Sequence, residues 1–418
     1  MQRDRKPRIS RRDFVKASAA AAAAVGAFPH VVLGQASTRP LKVGLIGCGG
    51  RGSGAGNDCM AADPNVKVVA LADVFKDRID AYRQQVKEKH NYEIDEKLCF
   101  VGFDAYKKLL DTDVDYVILA TPPYYRPEHF TACVEAGKHV FMEKPVCVDP
   151  VGARKMFAAG RKADEKGLRV AAGTQRRHQK QYIETIRRIH DGAIGKIVAA
   201  QCYWNMGQLW YRKREPGWSD MDWMIRDWVN WTWLSGDHIV EQHVHNIDVI
   251  NWAIGTHPEK VVAMGARHRR VTGDQYDFFC ADFFYPDHVH VLSQCRQING
   301  CANDVSERVI GEKGVSNCNG WISTLKEPIK IDCNPYVEEH RDLIRAIRED
   351  LPLNETKNVT ESTLCAVMAR ISAYTGRSVS WEEMMESNLV LGPPTYELSE
   401  ENIAAGVIKA HVPKPGHA

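Results

Sequence analysis

A short apolar run, Leu41–Ile46, passes directly into Gly47-Cys48-Gly49-Gly50-Arg51-Gly52. No other stretch restricts the possible folds as much. Glycine at 47, 49 and 52 has the G-x-G-x-x-G spacing of a buried parallel strand that turns sharply into a helix. The three glycines then have separate tasks: the tight turn, close approach of a pyrophosphate to the backbone, and packing of helix on strand. The helix that follows offers unpaired N–H groups to phosphate. Glycines alone would also suit other tight turns. Here, however, a second apolar stretch, Val66–Leu71, leads to Asp73, about 20 residues past the last glycine, where an acid meets a ribose 2′-hydroxyl. A carboxylate there repels a 2′-phosphate, so NAD is expected rather than NADP. Gly47, Gly49, Gly50, Arg51, Gly52 and Asp73 are the first candidate cofactor contacts.

The alternation continues. Val114–Ala120 reads as a strand entering Thr121-Pro122-Pro123, and Glu128–Ala136 as a helix that carries His129 and stops at Gly137. His139–Met142 is a strand ending in Glu143-Lys144-Pro145. Strands alternating with helices predict a Rossmann, doubly wound parallel sheet. Its ligands lie beyond the carboxyl ends of the strands. That adds Thr121, Pro122, His129, Glu143 and Lys144 to the cofactor side and puts Lys144 at the reactive end. With 418 residues the chain is too long for one ordinary domain. After a strand at Val170–Gly173 and a helix at Tyr182–His190, candidate strands follow at Ile197–Trp204, Val261–Arg269, Asp277–Tyr285, His288–Gln297 and Glu307–Ile310. Several alternate apolar with polar residues, which fits an open, largely antiparallel sheet with one covered face and flanking helices. The expected class is α/β then α+β, with a leader at 1–36, a nucleotide domain at 37–170 and a second domain at 171–418.

Charge sets the leader apart. Residues 1–36 hold seven basic and two acidic side chains, a net +5, so the rest of the chain carries −3 of the overall +2. Within it, Ser10-Arg11-Arg12-Asp13-Phe14-Val15-Lys16 precedes an alanine-rich run from Ala17 to Ala27, and Gly34-Gln35-Ala36 offers small residues for cleavage. This resembles a twin-arginine (Tat) export signal. The run is too short for a stable membrane span. The expectation is delivery, already folded, by the Tat translocase to the periplasm. The mildly acidic body argues against a nucleic-acid partner. The twelve cysteines lack zinc-type spacing, and most read as small buried residues.

The segment Asp237–Asp248 gathers His238, Glu241, His243, His245 and Asp248. Read as a helix, it puts Val240, Val244, Ile247 and Ile254 on one apolar face, with Glu241, His245 and Asp248 about a turn apart on another stripe. A carboxylate one turn from a histidine can orient it and support its positive form. A general acid/base needs this when a hydroxyl is oxidised. The same side chains could ligate a metal. But His243 and His245, two apart, point to different sides of a helix, so no metal is expected. Upstream, Tyr203–Trp233 holds seven of the 10 tryptophans, with Arg212, Arg214 and Arg226. Aromatic faces stack on the C–H faces of sugars, so Trp228 and Trp231, with His243, are candidate substrate contacts. A surface loop packed by its own aromatics is the plainer alternative.

Together the glycine loop, the strand ending at Asp73, Glu143-Lys144-Pro145 and the histidine segment resemble the glucose–fructose oxidoreductase / inositol dehydrogenase / MocA (Gfo/Idh/MocA) family, from about Leu41 to about Met385. The resemblance implies a catalytic group of Lys144, His245 and Glu241. His245 takes the proton of a substrate hydroxyl, hydride leaves the same carbon for the nicotinamide, Lys144 steadies the alkoxide and Glu241 tunes His245. It also implies an arginine of Arg176-Arg177 near the substrate, and subunit contacts through the second sheet, hence a homo-oligomer. Three positions depart from the family pattern. Pro123-Tyr124 follows Thr-Pro where asparagine is frequent, Glu241 replaces an aspartate, and His243 replaces a common glycine. The implied function is an exported NAD-dependent oxidoreductase acting on a hydroxyl of a sugar, glycoside or polyol. A Tat substrate crosses folded into a compartment poor in NAD, so the cofactor is expected to be tightly bound. One alternative is a redox-neutral NAD-dependent glycosidase, which oxidises, eliminates and re-reduces. Another is a non-catalytic sugar-binding protein, which the pairing of Lys144 with His245 disfavours.

Overall fold

Residues 39–392 and 412–416 are described by the computed structural model; the Tat-like segment at 1–36 lies outside them. Strands β1 (Leu41–Ile46), β2 (Val66–Asp73), β3 (Cys99–Val101), β4 (Tyr116–Leu119), β5 (His139–Met142) and β6 (Val170–Ala172) form one sheet in the order β3-β2-β1-β4-β5-β6, parallel throughout. The central strands are apolar on both faces because both faces are covered. Leu41, Val43 and Leu45 of β1 pack with Cys59 and Ile79 on one side, while Ile46 joins Leu109, Phe130 and Met156 on the other. Strand order reverses between β1 and β4, which opens a crevice beyond their carboxyl ends.

The second sheet contains β7 (Ile197–Met206), β8 (Lys260–Ala266), β9 (Phe278–Tyr285), β10 (Val289–Gln297), β11 (Asp304–Gly311), β12 (Val315–Ser316) and β13 (Val379–Ser380). Its order is β12-β11-β7-β10-β9-β8-β13, antiparallel except where β7 meets β10. Alternate residues of β9 are buried, which is the pattern of one covered face. β8 ends at Ala266, short of the predicted Arg269. The Asp277 carboxylate there accepts hydrogen bonds from the backbone N–H groups of His268, Arg269 and Arg270, so those donors leave the ladder.

The two sheets share a core. Val140 and Met156 of the first half belong to the same apolar cluster as Phe283, Val291, Leu364 and Met368. The helix Thr356–Thr375, buried along most of its length, supplies the last two. The helix Pro335–Glu349 returns to the first sheet, where Leu343 and Ile344 pack with β1 and β2. Late residues therefore help build the nucleotide half. Eight of the twelve cysteines are buried and none is paired. Among the described residues no helix is long and apolar enough to cross a membrane.

His178 clamps this junction. Its Nδ1 lies 2.8 Å from Asp342 Oδ2 and its Nε2 3.2 Å from Glu355 Oε2, which also accepts from the Ala172 N–H at the end of β6. Burial disfavours the imidazolium, but the two carboxylates outweigh it and push the pKa up to about 10. The unfolded value is near 6.5. A raised folded pKa stabilises the fold fully below the unfolded value and loses that contribution as pH rises through the folded one. Thermal melts from pH 6 to pH 10 should show the native protein losing stability across that window. His178→Gln should melt roughly 5–10 °C lower at pH 6 and show a flatter profile. Equal slopes for the two proteins would refute the clamp.

Candidate active site

The glycine loop has the shape a pyrophosphate needs. Gly47 has φ 94°, a region that favours glycine, and a Cβ there would sit 2.7 Å from the backbone N of Thr121. At Gly52 a Cβ would fall 1.8 Å from the carbonyl oxygen of Gly47, so the turn closes only without a side chain. At Gly49 and Gly50 an added Cβ would meet nothing within 4 Å; both face open space. The helix Gly50–Ala62 starts there with no side-chain cap and no acid in its first turn. Its first N–H groups are thus left for an anion. These residues fit NAD. Asp73, at the end of β2, accepts from the backbone N–H groups of Cys48 (2.7 Å) and Phe75 (2.9 Å) while lining the cavity. Its carboxylate therefore braces the glycine loop as well as facing the ribose position. Burial raises its pKa against the pull of those two N–H donors.

A cavity of about 650 Å³ runs from this loop, past the ends of β4 and β5, to the second sheet. Gly47, Gly49, Gly50, Arg51, Gly52, Asp73, Thr121, Pro122, His129, Glu143, Lys144, Glu241 and His245 all line it. The structure thus brings together every predicted cofactor and catalytic residue. Arg51, however, is not free for phosphate. Its guanidinium contacts Glu143, Asp58 and Glu339. His129 lies 3.2 Å from Thr121 Oγ1, and burial, helped by the nearby Arg126 charge, pushes its pKa down to about 3.

The histidine segment differs from expectation. It forms two helices, His238–Glu241 and Val244–Ile254, not one. At the junction the His243 N–H reaches five residues back to the His238 carbonyl, so the helix slips out of phase. Glu241 and His245 both still reach the cavity, but among the described residues no hydrogen bond joins them. Glu241 turns to Lys144, whose Nζ donates to its carbonyl oxygen and, at 3.1 Å, to its Oε1. Asp248 pairs with Arg177. His245 stacks on Trp204 with ring centroids 5.5 Å apart, and among the described residues its buried Nδ1 has no hydrogen-bond partner. Burial first, then the positive Lys144 and Arg176, holds its pKa well below the usual histidine value. The surroundings keep His245 neutral instead of supporting its cation. A neutral imidazole can accept a proton.

The segment is anchored from behind. Asp237, fully buried, takes φ 74°, a conformation that costs a non-glycine residue energy. Its carboxylate holds the turn by accepting from the N–H groups of His238 (2.5 Å) and Tyr276 (3.0 Å) and from the Tyr374 hydroxyl.

Several predicted substrate contacts lie elsewhere. Arg176 is tied to Glu307 at 2.7 Å, and Arg177 to Asp248 at 2.8 and 2.9 Å; both carboxylates are buried, the arginines partly so, and Gln175 reaches the cavity wall in their place. His243 is fully buried, with its Nε2 2.7 Å from Ser293 Oγ. Trp231 packs edge-on against Trp223 in an apolar cluster, whereas Trp228 does line the cavity. Trp204, Trp210, Gln242 and Tyr336 line it too. The tryptophan-rich stretch already pointed to the first two. Nothing local marks Tyr336, which arrives on a helix that begins 283 residues after Gly52.

Comparisons agree with this architecture. Residues 41–174 match the model described as GFO_IDH_MocA, oxidoreductase family, NAD-binding Rossmann fold, and residues 182–316 match the GFO/IDH/MocA C-terminal domain. The chain is 27% identical over 238 residues to inositol 2-dehydrogenase 4 of Saccharopolyspora erythraea, covering 57% of this chain and 60% of that one. It is 26% identical over 226 residues to myo-inositol 2-dehydrogenase of Thermotoga maritima, covering 54% and 58%. The match thus spans a little under two thirds of those relatives. Among solved structures, aldose-aldose oxidoreductase from Caulobacter crescentus complexed with glycerol aligns with a TM-score of 0.65 at 18% identity, over 82% of this chain and all of that one. GenD2 from gentamicin A biosynthesis, in complex with NAD, aligns with a TM-score of 0.64 at 17% identity, over 82% and 96%. At such identities these two show a shared fold.

The glycines separate binding from folding. Gly49→Ala should leave the melting temperature unchanged and weaken NAD about tenfold or more, because its methyl enters only ligand space. Gly52→Ala, overpacked against Gly47, should lower both stability and affinity. Calorimetric titration with NAD and thermal melts read the two effects. Unimpaired NAD binding by Gly49→Ala would place the pyrophosphate elsewhere.

Proposed function

The chain belongs to the GFO/IDH/MocA oxidoreductase family, and from that premise we propose that it oxidises a hydroxyl of a sugar, glycoside or polyol with NAD. One observation carries the reading: Lys144, at the end of β5, and a neutral His245, from the second half, face the same cavity beyond the glycine loop. NAD bound at the glycine loop would supply the hydride acceptor. His245 takes the hydroxyl proton in its neutral form. Lys144, fixed by Glu241, donates to the oxygen on which negative charge develops. Glu241 therefore acts as a positioning residue for Lys144. Trp204 and Trp210 offer flat apolar faces to a carbohydrate ring.

Those tryptophans also favour a second reading. An aromatic wall beside Lys144 and His245 suits the ring of a glycoside as well as that of a free sugar, and a redox-neutral cycle of oxidation, elimination and re-reduction would use the same residues. The proposal includes Tat export to the periplasm, on the strength of Arg11-Arg12 and the alanine run after them. It also includes self-association through the open face of the second sheet, where Val262 and Met264 of β8 are exposed.

Purified protein with NAD, offered free sugars, inositols and aryl glycosides, should turn over at least one class. A rise in reduced-nicotinamide absorbance supports the dehydrogenase, and aglycone release without it supports the glycosidase. His245→Ala and Lys144→Ala should each lower kcat/KM by about 10²–10⁴ while NAD stays bound. An active His245→Ala enzyme would refute the assigned base. The depressed pKa of His245 keeps it deprotonated as pH falls through 6.5, so the acid limb of kcat/KM should lie well below that value. An acid limb centred at 6.5 would mean an unperturbed histidine.

A further inference from the structure

Between Met206, where β7 ends, and Gly236, the chain leaves the second sheet and crosses to the first. Met221, Met224, Ile225, Trp231 and Leu234 share an apolar cluster with Tyr124 and Tyr125, which follow β4, and Val74 and Phe75, which follow β2, pack against it. Arg226 reaches Asp77 with both terminal nitrogens, at 2.8 and 3.0 Å. Its guanidinium also lies over the Phe75 ring, 3.8 Å from the centroid, and near that of Trp218, at 4.9 Å. Such stacking strengthens as the groups lose water, and Arg226 is only 14% exposed.

The crossing is braced as well as docked. The Asp227 carboxylate accepts from the Arg212 N–H at 2.6 Å and from Asn230 Nδ2 at 2.9 Å. Trp223 Nε1 donates to the Arg212 carbonyl at 2.7 Å, and a capping box at Ser219 and Asp222 starts the helix Asp220–Arg226. A segment with this many internal bonds keeps its shape.

Its position matters for the cofactor. In a sheet of this order the pyrophosphate lies at the glycine loop and the adenosine ribose beside the acid that ends β2. The adenosine half of NAD therefore belongs against Asp73, Phe75 and Arg78. Ile225, Arg226, Trp228 and Val229 line the same cavity as those three residues.

We propose that the crossing, through Arg226 and Trp228, is a strap that closes over the adenosine half of NAD and makes the cofactor a resident group instead of an exchanging co-substrate. This rests on the NAD reading above. Release then requires the apolar cluster to part and Arg226 to leave Asp77 and Phe75. An exposed ion pair by itself adds little, so the cluster and the stacked aromatics supply most of the retention. The strap belongs to the second half of the chain, so the cofactor is held by both halves at once.

The test strips nucleotide from the full chain, reloads it with radiolabelled NAD, removes free nucleotide by gel filtration, and chases with excess unlabelled NAD. The native protein should emerge with close to one NAD per chain and exchange it slowly. Asp77→Asn, at an exposed side chain on the first-sheet side, should exchange about two- to fivefold faster. Arg226→Ala combined with Trp228→Ala should exchange about 100-fold faster. Thermal melts without nucleotide should keep Asp77→Asn within a few degrees of the native protein. Exchange by the native protein within seconds, or equal rates in all three proteins, overturns the strap. A chain that binds NAD and oxidises a sugar yet exchanges NAD within seconds loses the strap alone. A chain that binds no NAD overturns the cofactor reading beneath it as well.

Discussion

The contact between Lys144 and Glu241 joins the two halves of this protein in the wall of the cavity beyond the glycine loop. Lys144 lies two residues past a strand of the first sheet, and Glu241 ends a short helix of the second half. Both side chains are about nine-tenths buried. A buried pair is a poor source of stability, because desolvation cancels most of its attraction. Its value here is geometric. The lysine donates to the side chain and to the main-chain carbonyl of one residue, so its ammonium head is aimed. Removing either partner would leave a buried charge uncompensated, which ties the position of one half to that of the other.

Around that pair, charge is organised so that one group stays neutral. Arg51 is held by Glu143 and Glu339, Arg176 by Glu307, and Arg177 by Asp248. Each carboxylate fixes a cation near the cavity without supplying a partner to His245. The histidine is left among positive groups and away from water, and both effects favour its uncharged form. This reverses the role that its sequence neighbour Glu241 seemed suited to play. The reversal comes from a single out-of-phase turn at Gln242–His243, which swings Glu241 to the lysine. The same logic accounts for the arginines. Their charge reaches the site through the field they create, since their donors are already taken by buried acids.

Most of the fold was legible in the residues. Apolar runs ending in glycine or in an acid mark parallel strands, and period-two alternation marks the second sheet, because burial on two faces or one leaves a periodic trace. The glycine loop, Asp73, Thr121-Pro122, Glu143 and Lys144 were equally legible, since each follows a strand end and strand ends gather at the crevice. Arg177, His243 and Trp231 were not. Their residue types suit ligand contact as well as burial, and only the partners Asp248, Ser293 and Trp223 decide between the two. Tyr336 left no local signal, because its place depends on a helix returning from far along the chain.

The sequence by itself therefore determined the doubly wound sheet, the tight glycine turn before the first helix, and NAD as the cofactor. These follow from backbone sterics and from hydrophobic period, which act over a few residues. Only the tertiary structure decided that Glu241 serves Lys144, that His245 is kept neutral, and that the tryptophan-rich crossing lies over the β2 side of the cavity. Those outcomes depend on which charges and rings meet across long stretches of chain. Such meetings are set by packing, and packing leaves no local pattern to read.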